Sequence, residues 1–420
     1  MAGELALECK LSRSYAMMNV ADALSYLLIK VIPNPAVQLG SMPLNIGLVI
    51  DVSRSMKGRK LESAIEATRL IISSLQGQDW LSVTTFSDDA QVVIPAVQAA
   101  DKTALLAAVE KIRIIGATRM FHGMEASIRE IRKAGLQNKI NRMILLTDGE
   151  TEGEERCRII ATQERQSEIV ICPVGIGKRY NENLLSQIAD VTLGHFSHLK
   201  APEQITDIFK KELGMAAASV ITDVTMDLSL GEGIRLESLD RVFPNSVRLE
   251  TTSEDNGKTQ KTRLGNLMKD DLTIIGARLK LPSTPAGRIK ITSIRLQYSI
   301  PSLGNTGNVE SFDVFMEFTN NQELCGQVDR EVISYFNQIN AQNLIEEAIK
   351  QTRIGNIDEA TQSLSLAQSI TEKLGNLPLT QEIKEALDDL EAKGIISPDS
   401  VKTIKAGSRQ TVKVKQSDVK

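Results

Sequence analysis

The apolar run from Leu44 to Ile50 reads as a buried strand. It delivers Asp51, Ser53 and Ser55 at alternate positions just past its end. Three oxygen-bearing side chains at i, i+2 and i+4 converge on one point only if the chain curls there. A small hard cation, which takes oxygen ligands, is the natural object to curl around. Two later segments repeat the theme. Gly116-Ala117-Thr118 precedes a helical stretch and offers a further hydroxyl, and Arg142–Asp148 is a second apolar strand that ends on a carboxylate before Gly149.

Around these segments, strand-like runs at 44–50, 80–86, 142–147 and 169–174, with a short one near 195–199, alternate with amphipathic stretches. Leu61, Ile65, Thr68, Ile72 and Leu75 form one helical stripe, and helices fit 102–113, 121–134, 154–166, 181–190 and 202–213. Such alternation predicts an α/β fold, a mostly parallel, doubly wound sheet. Ligands in such sheets bind beyond the carboxyl ends of the strands at a topological switch point. Asp51 and Asp148 both fall at such ends.

The order D-x-S-x-S, G-x-T, then hydrophobic-T-D-G resembles the von Willebrand factor A domain and its metal-ion-dependent adhesion site, over roughly residues 42–213. The resemblance implies metal ligation by Asp51, Ser53, Ser55, Thr118 and Asp148. Thr118 and Asp148 would alternate between direct and water-mediated contact. The implied ion is Mg²⁺, or Mn²⁺ or Ca²⁺, and an Asp or Glu of a protein partner would complete its coordination. The ligands are expected on an exposed loop, so that Asp51→Ala removes metal binding and leaves the fold intact.

From about 219 to 319 the period changes to two, as in Met226-Asp-Leu-Ser-Leu230 and Ile294-Arg-Leu-Gln-Tyr-Ser-Ile300, which predicts antiparallel strands with one buried face. Ile289 and Ile291 fall out of phase with Ile294 and suggest a bulge near Thr292-Ser293. The N-terminal segment alternates as well, at Leu5, Leu7 and Cys9, then Leu27, Ile29 and Val31. Two isolated strands are marginal alone, so residues 1–41 are expected to complete a β-sandwich with 214–325, Pro33-Asn-Pro35 marking one crossing. The α/β domain, 42–213, would then be inserted in the sandwich. Similar layouts occur in inter-alpha-trypsin-inhibitor heavy-chain relatives and in bacterial von Willebrand-type proteins. Residues 326–400 read as a helical bundle, with Val328, Val332, Tyr335 and Ile339 on one stripe and Gly355-Asn and Gly375-Asn as punctuation. Residues 401–420 read as a flexible basic tail.

Several conspicuous side chains have plainer readings. Arg54 and Arg119 could steer an incoming acid or simply be solvated, and Lys57 reads as surface. Glu150, Glu152, Glu154 and Glu155 open a helix, where negative charge complements the macrodipole. His195 and His198, at i and i+3 of a strand, face opposite sides and do not suit one metal. His122 reads as structural.

A net charge of −4 gives no general reason to bind nucleic acid, and no apolar run approaches the ~18 residues that span a bilayer. The N-terminal residues lack the pattern of a signal peptide, and the four cysteines are scattered; a cytoplasmic setting is expected. The leading expectation is a metal-dependent protein-interaction module acting as a scaffold or adaptor, without catalysis. Many bacterial relatives work beside AAA+ ATPases of the MoxR type. This chain carries no G-x-x-x-x-G-K-[ST], so such an ATPase would be a separate protein. The alternative is a Mg²⁺-dependent hydrolase or phosphotransferase using Asp51 as nucleophile. Ser53 at the i+2 position, where that chemistry typically needs a second acid, argues against it.

Overall fold

The structure is a computed structural model that describes residues 4–34, 40–269 and 272–414. It divides into two compact units, one of residues 40–220 and one of residues 1–39 with 221–420. In chain order, the first is an insertion within the second.

The inserted unit is built on a six-stranded sheet. Its order is Ala90–Gln98, Trp80–Phe86, Leu44–Asp51, Ile140–Thr147, Ile169–Ile176 and Ser197–Leu199. All neighbours run parallel except the first pair. The central strands Leu44–Asp51 and Ile140–Thr147 are buried at every position, because helices cover both faces, and this is why they read as continuous apolar runs. Chain order reverses between these two strands. From Leu44–Asp51 the chain moves out to one side, and it returns on the other with Ile140–Thr147. Asp51 and Asp148 therefore straddle the switch point. Residues Leu48, Ile50, Ile71, Ile144, Val174 and Phe209 belong to one core on one face.

The strand Ala90–Gln98 is not foreseen by periodicity. It is an edge strand, exposed or half-exposed at all but Ile94, with two register shifts against its neighbour, so the alternation is blurred. The first helix runs Arg59–Ser74, as expected, whereas the helix predicted over 102–113 ends at Val109.

The other unit holds two sheets in which the described strand pairs are antiparallel, except that Tyr15–Met17 runs parallel to Asn305–Thr319. In the five-stranded sheet, Ala23–Pro33 lies between Leu5–Leu11 and Thr273–Leu281, followed by Arg235–Phe243 and Val247–Arg248. The N-terminal strands are thus integral to a sheet whose other members come from beyond residue 221. The six-stranded sheet orders Thr252–Glu254, Thr259–Met268, Ser219–Leu230, Gly287–Ile300, Asn305–Thr319 and Tyr15–Met17. Its register shifts between Lys290 and Thr292, where the phase of the isoleucines breaks. Pro35, part of the expected crossing, lies outside the described residues.

The helical region consists of Arg330–Arg353, Ile357–Lys373, Leu377–Lys393 and Pro398–Arg409. Ile349, Leu364, Ile383, Leu390 and Ile404 meet in its core. Gly355 and Gly375 take left-handed φ of 87° and 70°, which ends a helix without a Cβ penalty. The first of these helices rests on the five-stranded sheet. A Cβ at Gly276 would lie 2.9 Å from the ring of Phe336, so glycine permits that approach. Val332, Tyr335 and Ile339 are buried there, but Val328 precedes the helix and is exposed.

The expected flexible tail differs most. Residues 401–409 continue a helix capped by Ser397, and Val412 exchanges hydrogen bonds with Gln338 at 2.9 and 2.8 Å. Ile404 and Ala406 are buried among the basic residues, so the segment is amphipathic and the charge count alone misreads it. Residues 415–420 lie outside those described.

Candidate metal centre

The strand Leu44–Asp51 ends on Asp51, and the chain then tightens into a 3₁₀ turn over Arg54–Met56. Val52 and Met56 are buried on either side of the hydroxyl residues. Met56 donates its N–H to Ser53 O at 3.0 Å, and Ile115 N–H binds Val52 O at 2.7 Å. Two apolar anchors and a neighbouring loop thus impose the curl that the D-x-S-x-S spacing needs. Gly58, at φ 84°, turns the chain into the helix that follows.

Asp51 is fully buried. Its Oδ1 accepts from the Ser53 N–H at 2.8 Å, and its Oδ2 from the Thr147 hydroxyl at 2.7 Å. Burial pushes its carboxyl above the usual carboxylate range; those hydrogen bonds oppose the push, and nearby Asp148 adds to it. The hydroxyls of Ser53 and Ser55 lie 3.0 Å apart, and Ser55 donates to Asp148 Oδ1 at 2.6 Å. Asp148, just past the end of the adjacent strand, is likewise buried.

Thr118 precedes the helix Met120–Lys133 and is half-buried. Its carbonyl accepts from the Glu152 N–H at 3.0 Å and the Thr151 hydroxyl at 3.2 Å. A Cβ built on Gly149 would sit 3.5 Å from Ser55 Oγ and 4.0 Å from Thr118 Oγ1. Glycine therefore keeps open a space onto which these hydroxyls converge. All five residues singled out in the sequence come together, on two strand ends and one loop. The expectation of an exposed loop is corrected: Asp51, Ser53 and Asp148 are buried, because Asp51 still belongs to a fully covered strand and Asp148 immediately follows another.

One participant has no local signature. Lys60, in the first turn of the Arg59–Ser74 helix, places its ammonium on Asp148 Oδ2 and 3.3 Å from Ser55 O. A cation thus already contacts this oxygen-lined space. The donor set of two carboxylates and three hydroxyls is all-oxygen and suits a hard divalent ion. Asp88 also acts behind the site by accepting from the Ala117 N–H at 3.1 Å.

The other candidates are engaged elsewhere. Arg119 pairs with Glu152 at 2.9 Å, and both are exposed. Glu154 accepts from Arg158 and Asn181, and Glu155 faces Arg158. Arg54, Lys57 and Glu150 are exposed. His122 stacks on Phe121. His198 Nδ1 meets the Tyr180 hydroxyl at 2.6 Å, whereas His195 lies beside Cys172 and Glu212.

Comparison with known proteins gives two domain matches, a von Willebrand factor type A domain over residues 45–211 and an Sll0103-like C-terminal alpha-helical domain over 330–414. The chain is 28% identical over 270 residues to Synechocystis protein sll0103, a match covering 63% of this chain and 64% of that protein. It is 25% identical over 186 residues to Escherichia coli YfbK (43% and 32% covered). It is 31% identical over 160 residues to human inter-alpha-trypsin inhibitor heavy chain H3 (35% and 18% covered). The chain thus matches less than two thirds of the length of each of these relatives. In fold it is similar to a von Willebrand factor type A protein from Catenulispora acidiphila, with TM-score 0.85, 19% identity and 98% and 97% of the chains covered. It is also similar to the ArnB paralog VWA2 of Sulfolobus acidocaldarius, with TM-score 0.62, 16% identity and 97% and 98% covered. Among the described residues no helix is long and apolar enough to cross a membrane.

Proposed function

Because residues 45–211 form a von Willebrand factor type A domain, we propose that the chain is a metal-dependent protein-interaction module. Asp51, Ser53, Ser55, Thr118 and Asp148 hold a divalent cation, Mg²⁺ in the first instance and otherwise Mn²⁺ or Ca²⁺. When bound, the cation supplies an electrophilic centre able to take an oxygen ligand from outside. The single observation that carries this reading is the convergence of three hydroxyl residues on two carboxylates around the space that Gly149 leaves open.

The chain's own groups divide the work. Asp51, fixed by Ser53 N–H and the Thr147 hydroxyl, anchors the floor of the site. Ser53 and Ser55 offer neutral oxygens, which leave the site receptive to an added carboxylate. Thr118, on a separate loop, stands on the side from which a partner's Asp or Glu would arrive. A nucleophilic role for Asp51 is disfavoured, since both of its oxygens already accept hydrogen bonds at the bottom of a buried strand end. We therefore read the chain as a non-catalytic scaffold or adaptor in a cytoplasmic assembly, its partner a protein with an exposed acid. That assembly would be of the kind that includes a MoxR-type AAA+ ATPase, with no role for nucleic acid or membrane insertion.

The test is capture of partners from lysate with Mg²⁺, with EDTA, and with Thr118→Ala. EDTA is expected to release a specific set, and Thr118→Ala to weaken partner binding more than metal binding, because an interaction made only in the partner-bound state shifts that state alone. A captured set unchanged by chelation and by the substitution would sink the metal-bridging reading.

A further inference from the structure

Under the helix Ile205–Ala217 a second set of donors meets, of a different chemical kind. Cys172 lies mid-strand in Ile169–Ile176 and is fully buried. Glu212 comes from the helix and is 1% exposed. His195 comes from the turn ahead of Ser197–Leu199. The thiol sulfur, a ring nitrogen and a carboxylate oxygen of these three lie within 4.8 Å of one another.

The turn that delivers His195 is held tightly. Leu193 has a φ of 57°, in the left-handed region that branched residues avoid. A Cβ at Gly194 would fall 1.9 Å from the Ile171 carbonyl oxygen. The Ile171 N–H also donates to the Thr192 hydroxyl at 3.2 Å. Residues 192–194 are thus clamped to the position next to Cys172, and backbone strain is accepted where it fixes one imidazole.

The surrounding charge is defined. Arg142 binds Glu212 Oε2 at 2.8 Å and the Glu212 carbonyl at 3.0 Å, and the Cys172 thiol hydrogen-bonds the same Glu212 side chain. An Arg–Glu pair alone accounts for a buried Glu212, but not for a thiol and an imidazole brought within 4.8 Å of its carboxylate. The Cys172 hydrogen bonds to the Glu212 side chain and to the His195 backbone hold the three donors side by side.

We propose that Cys172, His195 and Glu212 form a binding site for a zinc-class divalent cation, distinct from the oxygen-lined centre. A thiolate, an imidazole and a carboxylate are zinc ligands, and three of them leave a fourth position open. Sulfur selects against Mg²⁺ and Ca²⁺. Burial, with Glu212 adding to it, pushes the Cys172 thiol well above its usual range, so without an ion the sulfur keeps its proton. On binding, the S–H bond breaks, the sulfur pair goes to the cation, and the proton leaves to solvent. Cys172 pairs in register with Ile144, four residues short of Asp148, which is roughly 13 Å along the strand at about 3.3 Å per residue. One ion cannot serve both centres.

The test uses the full chain, thiols reduced and Mg²⁺ in excess to saturate the oxygen-lined site, titrated with Co²⁺. A thiolate-to-cobalt charge-transfer band in the near ultraviolet is expected, saturating at a single equivalent, accompanied by proton release and abolished by Zn²⁺. Cys172→Ser should remove the band, and Asp51→Ala should leave it unchanged. His195→Ala, at a partly exposed residue, should weaken Co²⁺ binding on the order of 100-fold. This variant decides the matter alone if Cys172→Ser does not fold. Absence of the band in the wild type, its persistence in Cys172→Ser, or unchanged affinity in His195→Ala would each overturn the proposal.

Discussion

Asp51→Asn and Asp51→Ala separate what the Asp51 charge does for an ion from what its hydrogen bonds do for the fold. Asparagine keeps the shape. Its Oδ1 can accept from the Ser53 N–H and its Nδ2 can donate to the Thr147 hydroxyl, the two partners of the native carboxylate. It also removes a charge whose burial is unfavourable, so without metal it should unfold no earlier than the wild type. Alanine leaves the Ser53 N–H without that acceptor, while the Thr147 hydroxyl can turn to the Gly149 carbonyl 3.5 Å away. One orphaned buried donor costs about 1–3 kcal/mol, and Asp51→Ala should lose that much relative to Asp51→Asn. For the wild type, Mg²⁺ at about 100 times its dissociation constant should add about 2.7 kcal/mol. For a unit of this size that corresponds to roughly 5–11 °C in midpoint. The assay is convenient because the chain has a single tryptophan, Trp80, at the start of a strand in the same sheet. Its fluorescence therefore reports this unit within a chain that need not unfold in one step. Both variants should lose the Mg²⁺-induced shift. If Asp51→Asn keeps it, Asp51 is not a ligand.

Three further outcomes follow from particular contacts. Lys60→Met should tighten divalent-cation binding by about 1 kcal/mol, roughly fivefold, since the pair it forms with Asp148 is partly exposed; calorimetry that finds equal or weaker affinity contradicts competition between ammonium and ion. Gly123→Ala would place a Cβ 2.8 Å from the Phe86 ring and 2.9 Å from Val49 Cγ1, so overpacking of about 1–3 kcal/mol should outweigh the helix-propensity gain of about 1 kcal/mol, and a raised urea midpoint by Trp80 fluorescence would refute it. Burial works to raise the carboxyl of Glu331, but its bonds to Lys10 and Lys30 hold it below its ordinary value of 4.5. The resulting stability is present above that value and lost as pH falls through the depressed one. Glu331→Gln should therefore cost about 1 kcal/mol after screening at neutral pH and flatten the acid limb; an unchanged acid limb by urea denaturation with hydrogen-exchange readout of the Ala23–Pro33 strand would count against it.

How legible these features are in the sequence depends on how local their cause is. The central strands are legible because burial on both faces leaves an unbroken apolar run, and Asp51 and Asp148 are legible because each directly follows such a run. The N-terminal strands could be placed by elimination, since alternating segments at 5–9 and 27–31 had to find a sheet. The edge strand Ala90–Gln98 left little pattern, because solvent exposure removes the demand for apolar alternation. Lys60 reaches Asp148 across 88 positions, and nothing within either segment encodes that distance. Cys172, His195 and Glu212 meet only through the packing of the Ile205–Ala217 helix and a clamped turn. As a strand pair, His195 and His198 face opposite sides and do not suit one metal. In the structure only His198 lies on the strand Ser197–Leu199, and His195, ahead of it, lies beside Cys172 and Glu212. The exposed-loop expectation failed for a physical reason too, since a switch point buries the residues at strand ends while leaving the loops above them open.

The burial of Asp51 and Asp148 side by side bears on how tightly an ion would be held. Two desolvated carboxylates repel, and the cost is met here in two different ways. Asp51 is surrounded by neutral donors and has its proton affinity raised by burial, and Asp148 has the Lys60 ammonium. A cation that enters must therefore replace an existing positive group at Asp148 and favour the ionised form of Asp51, so part of its electrostatic gain is offset by what it displaces. An arrangement with bare carboxylates would bind more tightly and release more slowly. Under the proposed function, exchange between ammonium and metal keeps binding reversible, and a partner's carboxylate adds the contact that tips the balance toward the metal-bound state. The same lysine that stabilises the site without an ion then weakens metal binding when no partner is bound, and the partner's contact with the ion makes partner binding and metal binding depend on each other.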